Sequence, residues 1–148
     1  MIVVQSPNSY NLPKIFLGGS IEMGNAVDWQ GRLCEDLQFF NAIVLNPRRS
    51  DRDSSWIQSI DNARFAEQVN WELDALQAAD IIIFYFDPAT KSPITLMELG
   101  LFAHTGKVIV CFPEGYWRKG NVDIVCKRYN IPLTDNYESM YHRLTLLL

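Results

Sequence analysis

The feature that most constrains the fold is a run of six apolar residues, Ile81 to Phe86, near the middle of the chain. This run has the length of a single strand and is far too short to span a bilayer. It is apolar at every position, which is typical of a central parallel strand covered on both faces. Shorter apolar runs lie before and after it, separated by longer segments with helical periodicity. This alternation predicts an α/β domain built around a parallel sheet.

The alternation predicts five strands and five helices. The strands are expected at Lys14–Leu17, Ala42–Leu45, Asp80–Phe86, Val108–Phe112 and Ile131–Leu133. The helices are expected at Val27–Phe40, Gln58–Ala78, Ile94–Thr105, Val122–Tyr129 and Tyr137–Leu146. Because no repeat, low-complexity tract or linker interrupts these elements, residues 1–148 are interpreted as one domain.

Two of the predicted helices carry informative patterns. The second has an apolar stripe that is expected to face the sheet, formed by Phe65, Val69, Leu73 and Leu76. The third is apolar on every side and carries a single charge, Glu98. Because the sheet can cover only one side of this helix, we expect a second subunit to cover another. The alternative is that the final helix folds over it.

Charge and composition indicate which kind of ligand and which cellular compartment to expect. The formal charge of −4 does not indicate the positively charged surface that binds duplex nucleic acid. The first residues lack the basic start and long apolar stretch of a signal peptide, and the three cysteines lack metal-ligand spacing. We therefore expect a cytoplasmic protein with reduced thiols, without a membrane segment, metal or nucleic-acid partner. Its ligand is expected to be a small molecule.

Ligands of open parallel sheets bind beyond the carboxyl ends of the strands. Polar, glycine-bearing and basic residues follow the predicted strands there, namely Gly18, Gly19, Ser20, Asn46, Pro47, Arg48, Arg49, Asp87 and Ser92. The Gly-Gly-Ser segment is neither a Gly-x-Gly-x-x-Gly fingerprint nor a P-loop lysine motif, so NAD, FAD and ATP are disfavoured. Two interpretations of it stay open: close backbone approach to a ligand, and a tight turn.

The arginine pair, Arg48 and Arg49, also has two interpretations. Guanidinium groups can clamp a phosphate or carboxylate of a ligand. Asp51 and Asp53 follow closely and could pair with the arginines instead.

Three aromatic residues near this edge are candidates for ligand contact. Phe16 could pack on a sugar or base, although a core role is the more usual interpretation. Trp29 and Trp56 could stack on a base, or could simply pack within the protein.

Glu98 is the most informative residue, because an unpartnered carboxylate in an apolar run is costly to bury. It lies in the first turns of a helix, where the helix dipole favours an anion. Such a carboxylate can attack an anomeric carbon and hold a covalent glycosyl intermediate. The alternative is a structural glutamate that binds backbone amides at a helix end.

Glu72 is the better of two candidates for a second acidic role. With Val69 at the centre of the apolar stripe, helical geometry places Glu72 roughly 60° away, at the rim of the buried face. The same geometry places Asp74 roughly 140° away, toward solvent. A purely structural role for Glu72 stays open.

Several of these segments together resemble nucleoside 2-deoxyribosyltransferases. In order, they are Ile15-Phe16-Leu17-Gly18-Gly19-Ser20-Ile21, Asn46-Pro47-Arg48-Arg49, Asn70-Trp71-Glu72, Ala79-Asp80 and Met97-Glu98-Leu99-Gly100. Ser92-Pro93-Ile94-Thr95, ahead of the last segment, is most similar to a branch of short deoxyribosyltransferase-like proteins. The resemblance covers most of the chain, roughly residues 14–133, and the order and spacing of the segments are more specific than any one of them.

The resemblance implies a flavodoxin-like, doubly wound sheet of five parallel strands in an oligomer whose subunits complete one another's sites. It assigns the catalytic glutamate to Glu98 and the acidic residue that contacts the base to Glu72. It also assigns a polar site residue to Ser92, where many transferases have aspartate and related nucleoside-monophosphate N-glycosidases have a serine facing the 5′-phosphate. Phe16 replaces a common tyrosine, and Glu72 replaces the usual aspartate.

The sequence therefore predicts transfer of a 2-deoxyribosyl group between nucleobases, with retention of configuration, through a covalent intermediate on Glu98. Glu72 would handle proton exchange at the base, and no cofactor is needed. The substrate is expected to contact Phe16, Gly18, Gly19, Ser20, Asn46, Arg48, Asp87 and Ser92. The nearest alternative is an N-glycosidase of nucleoside 5′-monophosphates whose serines and arginine pair hold the phosphate. A further alternative is a non-catalytic nucleotide sensor.

Overall fold

The computed structural model describes residues 12–20, 27–48 and 57–148, in which strands and helices alternate. The strands are β1 (Lys14–Gly19), β2 (Ile43–Leu45), β3 (Ile81–Tyr85), β4 (Val108–Cys111) and β5 (Leu133–Thr134). The helices are α1 (Trp29–Asp36), α2 (Ala63–Ala78), α3 (Pro93–Phe102), α4 (Lys119–Arg128) and α5 (Tyr137–Thr145). A short 3-10 turn, Ala103–Thr105, follows α3 directly.

The strands form one parallel sheet in the order β2-β1-β3-β4-β5. The central position belongs to β3, whose first four residues are buried, so the prediction from the apolar run Ile81–Phe86 is confirmed. The predicted fold class is also confirmed: the sheet is flavodoxin-like and lies between two helical layers.

Alternate residues of β3 face the two helical layers. On one face, Leu76 of α2, Leu99 of α3 and Val122 of α4 join the same core as Phe84. On the other face, α1 and α5 pack on the sheet through residues such as Met140. Burial of each aliphatic side chain of this size stabilises the fold by about 1.5–3 kcal/mol. The two cores fix α1 and α3 on opposite faces of the sheet.

Side-chain caps explain where the structure departs from the predicted helix bounds. Asp28 accepts a hydrogen bond from the backbone N–H of Gly31 at 3.0 Å, so α1 begins at Trp29. Asn62 accepts one from the backbone N–H of Phe65 at 3.1 Å, so α2 begins at Ala63, five residues later than predicted. Asparagine and aspartate are strong helix caps, and apolar periodicity alone does not locate them.

The buried face of α2 is rotated from the predicted one. Its buried residues are Gln68, Glu72, Ala75 and Leu76. Of the predicted stripe only Leu76 is buried, whereas Phe65, Val69 and Leu73 are half-buried. Glu72 therefore lies in the buried face rather than at its rim, because a polar partner on the preceding turn, Gln68, is buried with it.

Helix α3 keeps an exposed apolar stripe, which we call the α3 stripe and which consists of Ile94, Met97 and Leu101. These side chains are 57%, 56% and 50% exposed, whereas Glu98 and Leu99 are buried. The alternative that the final helix folds over α3 is wrong, since α5 packs on the opposite face of the sheet. Within the described ranges, every helix is too short or too polar to cross a membrane.

Candidate active site

The candidate site lies where the strand order switches, between β1 and β3. These strands are neighbours, but the chain leaves β1 for α1 on one face and β3 for α3 on the other. A crevice at the carboxyl ends of such strands is the usual ligand site of open α/β sheets. Ser20, Asp87 and Ser92, which are far apart in sequence, come together here through hydrogen bonds.

Close approach of β1 to β3 explains both glycines of the Gly-Gly-Ser segment. A Cβ atom on Gly18 would lie 2.6 Å from the ring of Phe84, and one on Gly19 would lie 2.2 Å from the carbonyl oxygen of Tyr85. Gly19 also has a φ of +143°, which L side chains rarely adopt. Both glycines lie within β1, which is longer than predicted, so the need for glycine comes from strand packing rather than from a tight turn. Ligand contact by the glycines stays a prediction.

Three hydroxyl groups meet at the end of β1, and we call Ser20, Thr90 and Ser92 the hydroxyl triangle. The Ser20 and Ser92 oxygens are 2.5 Å apart, and the Thr90 oxygen is 2.8 Å from each of them. Ser20 Oγ also accepts the backbone N–H of Asp87 at 2.8 Å. The triangle therefore joins β1, the loop after β3 and the start of α3.

Ser92 begins α3 in an unusual way. Its φ of 49° is left-handed, and its hydroxyl makes no capping bond to the helix. A left-handed residue costs roughly 1–2 kcal/mol, and the missing cap forgoes about 1 kcal/mol more. The hydroxyl instead joins the triangle, while the Ser92 carbonyl accepts the N–H of Leu96 at 3.1 Å. The contacts of the triangle thus offset a locally unfavourable helix start.

Asp87 organises the loops around the site. Its Oδ1 accepts the backbone N–H of Ala89 at 2.9 Å, and its Oδ2 accepts that of Val27 at 3.2 Å. One carboxylate thus connects the loop after β3 with the segment that leads into α1. The contact of Asp87 with the substrate stays a prediction.

Arg48 and Asn46 also make contacts within the protein. Arg48 Nη1 donates to the carbonyl of Val27 at 3.0 Å and to Gln30 Oε1 at 3.4 Å, and its Nε lies 3.7 Å from Asp28. Asn46 Oδ1 accepts the backbone N–H of Arg48 at 3.0 Å. Arg48 therefore has aspartate and carbonyl partners on α1 and just before it. The predicted partners Asp51 and Asp53, together with Arg49 and Trp56, lie outside the described residues.

The two aromatic candidates in the described part of the chain are buried. Phe16 is 1% exposed and belongs to the core beneath α2 and α3. Trp29 is 2% exposed and stacks on Tyr85 with ring centroids 5.1 Å apart. Burial favours the core interpretation of both residues.

Glu98 and Glu72 are the buried carboxylates of the site, on adjacent helices of the same layer. Glu98 is 7% and Glu72 9% exposed. Gln68 Nε2 donates to Glu72 Oε1 at 2.9 Å and to the carbonyl of Pro47 at 3.3 Å. The amide of Gln68 thereby ties Glu72 to the loop that follows β2.

Burial, and to a lesser extent the negative charge of Glu72, together raise the pKa of Glu98 from its ordinary value of 4.5 to about 8. Within the described part of the chain, the carboxyl receives no hydrogen bond that would favour its charged form. A carboxyl with so high a pKa binds a proton near neutral pH and releases it at little cost. Strongly shifted carboxyls of this kind are concentrated in functional sites.

A cavity of about 210 Å³ adjoins the partner of Glu72. It is lined by Asn46, Pro47, Glu67, Gln68 and Trp71. Trp71 is 43% exposed and offers an apolar wall to this space. In the described ranges, His, Cys, Asp and Glu side chains form no group of three or more that could hold a metal ion.

Sequence reasoning missed Thr90 and Gln68. Thr90 lies in a loop, and its partner Ser20 is 70 positions away, so no local pattern identifies it. Gln68 precedes Glu72 by four positions, a spacing that places both side chains on one helix face and could have been recognised.

Comparison with known proteins identifies the family and supports the fold. A family model described as nucleoside 2-deoxyribosyltransferase like matches residues 12–116. A solved structure described as a conserved protein from Enterococcus faecalis V583 is similar, with a TM-score of 0.65 and 13% identity. That match covers 93% of this chain and 99% of the other, and at such identity it supports the fold alone. No curated protein matches the chain.

Glu98→Gln is expected to stabilise the protein at high pH. Because folding raises the pKa of Glu98 from 4.5 to about 8, its contribution to stability is full below pH 4.5 and is lost as the pH rises to 8. Glutamine cannot ionise, so the free energy of unfolding should exceed that of the wild type by at least about 1 kcal/mol at pH 8. The difference should disappear near pH 4.5, as measured by urea unfolding at both values.

The exposed Glu35 provides the control for removing one negative charge, through Glu35→Gln. An equal effect of the two substitutions, or a gain for Glu98→Gln that does not depend on pH, would contradict the raised pKa.

Proposed function

Because this chain belongs to the nucleoside 2-deoxyribosyltransferase-like family, we propose that it moves a 2-deoxyribosyl group between nucleobases with Glu98 as nucleophile. The observation that carries the proposal is the burial of Glu98 near a second buried carboxylate, Glu72. Two like charges in one buried layer oppose folding. Such an arrangement is expected where the charges serve chemistry rather than stability.

The first step uses the two carboxyls in different protonation states. Near neutral pH the raised pKa of Glu98 favours the proton on Glu98, and the reactive form is the one in which Glu72 carries that proton and Glu98 is ionised. An oxygen of Glu98 then attacks C1′ as the bond between C1′ and the base nitrogen breaks, and the electron pair leaves with the base. Glu72 donates its proton to the departing base. The product of this step is a free base and a glycosyl ester on Glu98.

The second step reverses the first with a different base. Glu72, now ionised, takes a proton from the incoming base as a ring nitrogen of that base attacks C1′. The ester bond breaks and returns its electrons to Glu98. Two inversions at C1′ give net retention. Water in place of the second base would complete a hydrolysis by the same route.

The chemistry favours a 2′-deoxy sugar. The transition state carries positive charge near C1′, and an electron-withdrawing 2′-hydroxyl would destabilise it. The cavity beside Gln68 and Trp71 is the proposed place for the base, since it adjoins the partner of Glu72.

Replacement of the nucleophile provides the direct test. Glu98→Ala should fold and should lose at least about a thousandfold in turnover of deoxyinosine with free adenine, followed by chromatography. Mass spectrometry of wild-type protein trapped with a 2-fluoro-arabinosyl nucleoside should show a sugar adduct on Glu98. The matched control is Glu35→Ala, which removes an exposed glutamate from α1. Near-normal turnover of Glu98→Ala would refute the mechanism.

Several contacts favour a nucleoside over its 5′-monophosphate. The hydroxyls of Ser20 and Ser92 bond to each other and to Thr90, and both residues are buried. The guanidinium of Arg48 faces Asp28 and the carbonyl of Val27. Groups already engaged in this way must give up these bonds before they can hold a phosphate.

We therefore expect deoxycytidine to be cleaved more efficiently than its 5′-monophosphate. Because Arg48 holds the start of α1, Arg48→Ala should lower stability without selectively removing activity on the monophosphate. Competition between the two substrates, for wild type and Arg48→Ala, measures the ratio of kcat/KM values. The control is Arg32→Ala, on an exposed arginine that pairs with Asp36 and Glu138.

A tenfold preference for the monophosphate, about 1.4 kcal/mol, that disappears in Arg48→Ala would instead identify the protein as an N-glycosidase of nucleotides.

Self-association is the remaining part of the proposal. The α3 stripe leaves three large apolar side chains in solvent directly beside the Glu98 segment, and Trp71 of the adjacent helix is exposed too. Contiguous apolar exposure of this kind marks interaction surfaces. A second copy of the chain that covers α3 would keep water from the two carboxylates.

Light scattering at micromolar concentration should accordingly show a dimer or larger assembly. A charge in the α3 stripe, Met97→Asp, should dissociate it, because a buried unpaired carboxylate opposes association. Phe39→Asp places the same charge at a residue that is 90% exposed beyond α1 and should leave the assembly intact. A monomeric wild type would rule out the assembly.

A further inference from the structure

Thr90 is half-buried in the loop between β3 and α3, and none of the steps proposed above uses it. Its hydroxyl oxygen lies 2.8 Å from both Ser20 and Ser92, and 2.9 Å from the carbonyl of Asp87. The Thr90 hydroxyl thus contacts the end of β1, its own loop and the start of α3.

The three hydroxyl oxygens form a ring of close contacts. Thr90 can donate its proton to Ser20 or to the carbonyl of Asp87, whereas the contacts of Ser92 with Ser20 and with Thr90 can each form with either oxygen as donor. Ser20 accepts the backbone N–H of Asp87 as well. Hydrogen bonds in such a ring polarise one another, so removing one member weakens the others.

The ring controls the beginning of the helix that carries Glu98. Ser92 directly precedes α3 and its hydroxyl makes no capping bond to the helix, so its contacts in the ring tie the helix start to the end of β1. Glu98 follows six residues later, about 9 Å along the helix axis. Because fewer than two turns of helix separate them, a shift of the first turn of α3 should also move the Glu98 carboxyl.

A second set of contacts holds the same segment from the opposite side. The carbonyl of Lys91 accepts hydrogen bonds from the hydroxyl of Tyr116 and from Trp117 Nε1, both in the loop after β4. The helix start is therefore held between the end of β1 and the end of β4. Loss of the ring would remove contacts on the β1 side, so we expect the start of α3 to shift relative to β1.

We propose that Thr90 is a positioning residue, which completes the hydroxyl ring and so fixes how deeply the side chain of Glu98 is buried. This inference rests on the proposed role of Glu98 as nucleophile. Thr90 acts through Ser20 and Ser92 and contacts no reacting atom. Its effect should appear in the environment of the Glu98 carboxyl and in turnover, rather than in stability alone.

The test compares Thr90→Val, which removes the hydroxyl but keeps the shape, with Thr90→Ser, which keeps the hydroxyl. Thr90→Ala is measured alongside, in case valine prevents folding. Thr105→Val is the matched control: Thr105 is also half-buried, and its hydroxyl donates to the carbonyl of Phe102 at 2.6 Å at the other end of α3. The readouts are kcat and KM for a deoxynucleoside and the pH titration of the Glu98 carboxyl by carbon-13 NMR, assigned with Glu98→Gln.

In Thr90→Val, water should reach Glu98 more easily, so the pKa of Glu98 should fall from about 8 toward 4.5. We expect kcat to fall at least tenfold with a smaller change in KM, and Thr90→Ser to restore both quantities. Thr105→Val should lower the melting temperature while leaving the Glu98 titration as in the wild type.

A Thr90→Val protein that loses stability but keeps the wild-type titration and kcat would overturn the proposal. So would a Thr105→Val protein with the same change in titration. If the wild type turns over no nucleoside, the proposed function fails, and the titration alone still decides whether Thr90 positions Glu98.

Discussion

The close approach of β1 to β3 is the constraint on which the rest of the site depends. It requires residues without a Cβ atom at Gly18 and Gly19, since a methyl group at either would collide with β3. Because the strands approach so closely, the hydroxyl of Ser20 reaches the backbone N–H of Asp87, just beyond β3. The same hydroxyl reaches Ser92 and so the start of α3. Packing between two strands thus determines the position of a helix and of the carboxyl it carries.

The helical layer that contains α2 and α3 is less stable than it could be. An apolar pair in place of Glu72 and Glu98 would remove two buried carboxyls and the repulsion between them. The structure stabilises Glu72 through Gln68 but supplies Glu98 with no comparable donor in the described ranges. Burying a poorly solvated carboxyl costs folding free energy, and enzymes commonly accept such a cost where the carboxyl serves activity.

The elements could be predicted from the sequence because each depends on local pattern. The apolar run at β3 identifies a central strand, and the polar residues after the strands identify the edge where Ser20 and Ser92 meet. The rest depends on contacts between distant segments. Asp87 binds the backbone of Val27, 60 positions away, and nothing near Asp87 in the sequence indicates that partner. The buried face of α2 was misplaced for a related reason: periodicity counts apolar residues, whereas Gln68 and Glu72 are buried as a hydrogen-bonded pair.

The two outer strands of the sheet are also its shortest, with three residues in β2 and two in β5. An exposed strand edge presents unpaired backbone groups to which another chain can add a strand, and long flat edges therefore favour aggregation. Edges of two and three residues offer too few backbone groups for stable addition of a strand. Among the residues that the structure describes, growth of the sheet is therefore disfavoured at both sides.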